Sequence, residues 1–267
     1  MLAEDARPEP RAMRLVSALV RADLRNVSRE PLLAALILMP FVLALVYRFV
    51  LPDPADLAAL VRGPLDADVE RHRALLIRLA DAMEPVLMTI FVGLTPGLVG
   101  GVYGLLLADE RDERTLAVVR VMPAPFAQYL TARMLAPCAL SLLVTIAAYP
   151  IAGLAPLPLP AVAAIAIGGA PIAPLTALAI AAFAANTVTA LALLRVVNAL
   201  WGLPILAYFA TPAQVRLAWP VPTYWQMKAL WLAVEGRPYG WTLLLCPVIS
   251  APLIVWLYRR FERRSER

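Results

Sequence analysis

Ala108–Arg133 reads ADERDERTLAVVRVMPAPFAQYLTAR, and it lies between two long apolar runs, Pro85–Leu107 and Met134–Leu154. Four acids, Asp109, Glu110, Asp112 and Glu113, alternate with Arg111 and Arg114. A short apolar segment, Thr115–Met122, follows, and Pro123 and Pro125 stop it. A charged loop that ends in a short amphipathic helix, set between two membrane-length runs, is a surface on which a partner can dock.

The rest of the chain reads as a membrane protein. It is 61% hydrophobic and 16% charged, against about 45–50% and 25% for soluble domains. An apolar run near 20 residues crosses the ~30 Å hydrocarbon core as a helix. Six runs meet that criterion: 31–51, 85–107, 134–154, 160–183, 197–218 and 241–258. They are too continuous for the alternation of a barrel, so the expected fold is all-α, a polytopic protein of six transmembrane helices. The fifth run is the weakest, interrupted by Pro204, Pro212 and Arg216.

Basic residues set the orientation. The first 30 residues carry Arg7, Arg11, Arg14, Arg21, Arg25 and Arg29. The tail, 259–267, carries Arg259, Arg260, Arg263, Arg264 and Arg267. The segment 108–133 holds four more arginines. All three are expected in the cytoplasm. The loop 52–84 has Arg62, Arg71, Arg73 and Arg78 beside seven acids and is placed outside, outvoted by arm and tail. The net charge of +5 then reads as topology, and no nucleic-acid partner is expected. No cleavable signal peptide is visible, because residues 1–30 are charged throughout. The near-exclusive use of Arg, with abundant Ala and Pro, suggests a high-GC genome. The expected location is a bacterial cell membrane, with both termini cytoplasmic.

One membrane domain, 1–267, is expected, with appendages on either side. In Arg11–Glu30 a stripe of Met13, Val16, Leu19, Val20, Leu24 and Val27 opposes arginines. Such a helix would lie in the interface and turn into the first span at Pro31; a solvated leader helix is the alternative. Outside, Asp66–Glu84 also reads as helical. The second span carries Gly93, Gly97 and Gly101 at spacing four, plus Pro96, a ridge that lets another helix approach closely. The fourth carries Gly168, Gly169, Pro171 and Pro174 and should bend. These residues are either ordinary packing features or the lining of a translocation path. Trp219–Tyr239, WPVPTYWQMKALWLAVEGRPY, includes Pro222, Tyr224 and Trp225. It fits short re-entrant helices between the fifth and sixth spans, or an exposed loop with interfacial aromatic anchors.

Catalytic chemistry is nearly absent from the sequence. The one histidine, His72, lies in the outer loop, and the two cysteines, Cys138 and Cys246, fall inside spans. There is no HExxH, no metal-spaced Cys/His cluster and no GxxxxGK[ST] phosphate loop. The spans hold almost no ionisable groups: Arg48 sits at the end of the first and Arg195 flanks the fifth on its cytoplasmic side. Without intramembrane carboxylates, coupling to protons or sodium is not expected. Energy should come from another subunit.

The run DERDERTLAVVRVMP, Asp109–Pro123, resembles the signature of the ABC-2 exporter permease family. There a charged E-R-E-x-G/R-T-L segment follows the second span, then a hydrophobic helix and a proline. Glu110, Arg111, Glu113, Arg114, Thr115, Leu116 and Pro123 match that pattern; Arg114 stands where Gly is frequent. The six spans, the lead-in helix, Ala185–Thr187 after the fourth span and Pro222–Trp225 before the sixth extend the resemblance over the chain. The opening LRNVSREPLLAALILMPFVLAL resembles permeases of fluoroquinolone-type drug export. The resemblance implies that Glu110, Arg111, Asp112, Glu113, Arg114, Thr115, Leu116, Val119 and Pro123 form a coupling segment docked on a nucleotide-binding ATPase subunit. It implies that Trp219–Tyr239 forms re-entrant outer helices.

No cofactor is expected on this chain; ATP and Mg belong to the partner subunit. A pathway enclosed by two halves requires a second copy or a paralogue. The apolar span surfaces suit a hydrophobic or amphipathic substrate such as a drug, lipid or peptide. An ATP-independent channel or scaffold is the other reading, and the single histidine leaves little for an intramembrane enzyme.

Overall fold

The computed structural model describes residues 30–52, 54–64, 70, 72–112, 126–154 and 157–265. The interfacial helix expected over Arg11–Glu30 therefore lies outside the described residues, apart from Glu30 at the start of the first helix. No strand occurs among the described residues. The order is α1 Pro31–Phe49, α2 Pro54–Arg62, α3 Arg73–Asp112, α4 Phe126–Ala152, α5 Leu159–Gly169, α6 Ile172–Phe183 and α7 Thr187–Gly202. A 3-10 turn, Leu203–Tyr208, continues α7. Then come α8 Pro212–Val215, a second 3-10 turn Arg216–Ala218, α9 Pro222–Val234 and α10 Gly240–Ser265.

Among the described residues, six candidate spans are long and apolar enough to cross a membrane: α1, α3, α4, α5 with α6, α7 with its 3-10 turn, and α10. They alternate in direction, so the molecule has a charged end, where α3 finishes in Asp109–Asp112, and a hairpin end, where α2 meets the start of α3. The spans are not equivalent. In α3, 83% of the most apolar window is buried, against 17% for α1 and 22% each for the α7 span and α10. α3 is the axial helix, and α6 is its most extensive neighbour.

Small residues put α3 there. Gly100 and Gly104 face α6: a Cβ at Gly100 would strike the Ala173 carbonyl oxygen and Thr176, and one at Gly104 would strike Ile180. Gly97 and Gly101 face α7, against Asn198 and Leu194, and Gly93 faces Met227 of α9. Pro96 is buried in the same stretch. The sequence spacing picks out Gly93, Gly97 and Gly101. Gly100 and Gly104, which lie against α6, share the same spacing.

Two expectations about the spans change. α3 runs for 40 residues, about 60 Å at 1.5 Å per residue, so the outer helix and the second span are one rod. Pro85 sits inside it without ending it; Thr89 Oγ1 donates to the Pro85 carbonyl at 2.6 Å. The first five residues of the charged block, Ala108–Asp112, are also helix rather than loop. The fifth span is Thr187–Tyr208, displaced from 197–218, because Asn186 starts α7 early. Its Oδ1 accepts from the Thr189 N–H at 2.8 Å. Arg195 thus lies inside this span rather than flanking it.

The fourth span breaks where glycine and proline cluster. α5 ends at Gly169 and α6 begins at Ile172, with Ala170 and Pro171 between them. Gly168 packs on Leu243 of α10 and Gly169 on Gln226 of α9. α9 is buried among α10, α5 and α3 rather than exposed on the surface. It ends at Gly236, whose φ of +67° lets the Arg237 N–H reach back to the Leu232 carbonyl at 2.8 Å.

Candidate functional site

The charged end of α3 is where the sequence places its docking surface, and the fold puts most of its described side chains to internal use. Consecutive residues on a helix point about 100° apart, so four charged residues in a row reach three different neighbours. Glu110 faces α4. Its Oε2 accepts from the Tyr129 hydroxyl at 2.7 Å, and its Oε1 accepts from Arg133 Nη2. Arg133 is 1% exposed and Glu110 20%, so this is a largely desolvated ion pair. The Arg133 guanidinium also lies 6.0 Å from the centre of the Tyr103 ring.

Arg111 faces the end of α6, donating to the carbonyls of Ala181 at 3.2 Å and Ala184 at 2.5 Å. A cation there complements the carbonyl-rich helix terminus. Asp109 and Asp112, three residues apart on one face, meet the start of α7. The Thr187 N–H donates to Asp112 Oδ2 at 2.9 Å. The Thr187 hydroxyl lies 2.5 Å from Asp109 Oδ1 and 2.9 Å from Asp112 Oδ2, so its one proton is shared between them. Anions there complement the N–H-rich terminus. Beside them, Arg260 of α10 stacks 4.4 Å from the Phe183 ring centre. The alternating charges of the DERD run therefore match alternating helix poles.

This arrangement joins the charged ends of α3, α4, α6 and α7 into one block, from which the chain leaves at Asp112. The remaining residues of the expected coupling segment, Glu113, Arg114, Thr115, Leu116, Val119 and Pro123, lie outside the described residues. Tyr129, Arg133 and Thr187 were missed as partners of the charged run. Spacing offered no signal for Arg133, 23 residues away.

A second polar layer lies toward the hairpin end. Trp231 Nε1 donates to Thr89 Oγ1 at 2.6 Å, Trp201 Nε1 to Thr176 Oγ1 at 2.7 Å and Thr223 Oγ1 to the Trp201 carbonyl at 3.0 Å. Pro222, Tyr224 and Trp225 are buried with them. Trp225 Nε1 donates to the Trp219 carbonyl at 2.9 Å, and its ring meets Tyr224 edge-on with centres 5.1 Å apart. Each of these indole N–H groups has an acceptor, as a buried Trp requires. The layer pins α9 to α3 and α7, and α7 in turn to α6. His72 is exposed at the start of α3, and among the described residues no three His, Cys, Asp or Glu side chains group as metal ligands.

The model of the Rv2686c-like family, fluoroquinolones export permease proteins, matches residues 23–258. The chain belongs to this family. It is 28% identical over 256 residues to the fluoroquinolones export permease proteins MT2760 of Mycobacterium tuberculosis strain CDC 1551 / Oshkosh and Rv2686c of strain ATCC 25618 / H37Rv. Each match covers 94% of this chain and 95% of the relative. No solved structure matches. The stretch that the family model matches contains the charged end, the buried α9 and all or nearly all of every candidate span. As a member of this export permease family with six membrane-length helices, the chain is a multi-pass membrane transport protein rather than an enzyme.

Proposed function

We propose that this chain is the permease subunit of an ATP-driven exporter. A separate nucleotide-binding subunit carries ATP and Mg, and this chain supplies the path for a hydrophobic or amphipathic substrate, fluoroquinolone-type drugs among them. The observation that carries the reading is the charged end of α3. A helix about 60 Å long enters segment 113–125 directly from a block tied to three other spans. A push delivered to that segment would move the ends of α3, α4, α6 and α7 together. The path is completed by a second copy or a paralogue.

The decisive test is retention of the ATPase. Glu110 is bonded to Arg133, so reversing its charge would break the fold and the docking surface at once. Charge reversal at Glu113 and Arg114 together is the cleaner variant. It should leave membrane abundance near normal and reduce ATPase pull-down about 30-fold, the effect of losing roughly 2 kcal/mol of interfacial charge pairing. Drug export should fall with it. Normal pull-down and export in this double variant would leave the segment as a solvated loop.

The reading also places the charged end in the cytoplasm, where arginine-rich segments are retained. Cysteine introduced at Arg62 or Arg237 should react with an impermeant thiol reagent added outside intact cells, and cysteine at Arg114 or Arg263 should not. Labelling at Arg114 from outside would reverse the orientation.

A further inference from the structure

We propose that the uncovered face of α7 is an anion-recognising subsite of the translocation path, with Arg195 as its cation. The inference rests on the permease reading above and names the class of substrate: an amphiphile that carries a carboxylate or similar anionic group.

Arg195 is the one Asp, Glu, Lys or Arg in Thr187–Tyr208. It lies eight residues in from Thr187, about 12 Å along the helix and so well inside a ~30 Å hydrocarbon core. It is exposed. It has no ion-pair or hydrogen-bond partner among the described residues. An unpaired charge at that depth is costly and is tolerated where it faces a cavity or a ligand. Its surroundings on the helix are apolar and uncovered: Val188 is 76% exposed, Val196 63%, Leu203 52% and Leu206 65%.

Eight residues further on, again about 12 Å, begins an open apolar cavity of about 590 Å³ lined by Leu203, Leu206, Phe209, Leu217 and neighbours. That volume suits a small molecule. An apolar body in this cavity and an anionic head directed back toward Arg195 would satisfy both features at once. Guanidinium recognises carboxylate with two parallel hydrogen bonds, and in a water-poor setting that pairing gains strength. A second copy seated directly on this ridge would bring two Arg195 side chains together, with no carboxylate on either ridge to separate them. The face therefore suits a cavity between halves rather than a closed contact.

The anion could come from a substrate or from a lipid headgroup, and the test separates them. The full chain in phosphatidylcholine nanodiscs is titrated with 1-pyrenebutyric acid and with the uncharged 1-pyrenebutanol, and binding to empty discs is subtracted. The acid should bind about tenfold tighter than the alcohol. R195Q should weaken the acid alone and abolish the preference, whereas R195K should retain most of it. Removing a charge from a span lowers the cost of insertion, so R195Q should fold. Adding phosphatidylglycerol to the discs should leave the acid-to-alcohol ratio within about twofold.

Equal binding of the two probes, or a preference that survives R195Q, overturns the assignment. So does enrichment of phosphatidylglycerol on the wild-type protein that is lost in R195Q while the probes bind alike, because Arg195 is then a headgroup anchor. None of these arms uses the ATPase, so their failure leaves the permease reading intact. Normal ATPase retention by the Glu113 and Arg114 double variant would strike the docking part of that reading, and probe binding would not report it.

Discussion

Arg133→Met should destabilise the protein by about 3 kcal/mol, the low end of the roughly 3–5 kcal/mol lost when one partner of a buried ion pair is removed. The low end applies because Glu110 is 20% exposed and water can reach part of its carboxylate. With Arg133 gone, Glu110 keeps the Tyr129 hydroxyl but faces an apolar side chain where a cation stood. Glu110→Met should cost a comparable amount, because it leaves Arg133, 1% exposed, without that carboxylate. The double variant E110M/R133M should recover most of the loss, because no charge is then stranded. The measurement is the unfolding free energy in mild detergent, with the double-mutant cycle closing on the pair. Single-variant losses under about 0.5 kcal/mol, the range of exposed pairs, would mean that water screens this contact. The cycle also reports on transport. If the pair joins α3 to α4 as one block, the double variant should be stable yet export poorly.

The second large effect is expected at Gly100. Gly100→Ala places a methyl group against the Ala173 carbonyl oxygen and Thr176 Cβ. Backbone atoms cannot swing aside, so α3 and α6 must separate. The cost should reach the upper part of the 1–3 kcal/mol range for overpacking, and the looser helix pair should show as a lower melting temperature. Gly97→Ala should be milder, because its new methyl group meets the end of the Asn198 side chain, which can rotate. Gly202→Ala, with nothing within 4 Å, should be close to neutral. The order Gly100, Gly97, Gly202 is the checkable content, read from thermal unfolding of the three purified variants. Equal melting temperatures would place the small-residue face of α3 toward lipid rather than toward α6.

Much of the fold was legible in the residue order. Hydropathy picks out six spans because a lipid-spanning helix must be apolar over its length, whatever it packs against. Glycine at spacing four marks α3 as a close-packing helix, and Gly168, Gly169 and Pro171 mark the break between α5 and α6. The boundaries were less secure. Pro85 reads as a break and is not one, because membrane helices tolerate proline in their interiors. The start of α7 depends on the Asn186 cap, and the hydropathy window drifted ten residues past it.

The charged run shows the limit most clearly. By itself, the sequence determined a polytopic helical protein with a charged block after its second span. Composition and periodicity suffice for that, since they report each segment's preference for lipid or water. The tertiary structure decided where the described charges go. Glu110 turns to Arg133, Arg111 to the end of α6, and Asp109 and Asp112 to the start of α7. A charged side chain at a helix end takes whichever partner packing brings near, and helix poles exist only once neighbouring helices end beside it. The same reason moved Arg195 from the edge of a span to its interior, because depth is a property of where the helix begins.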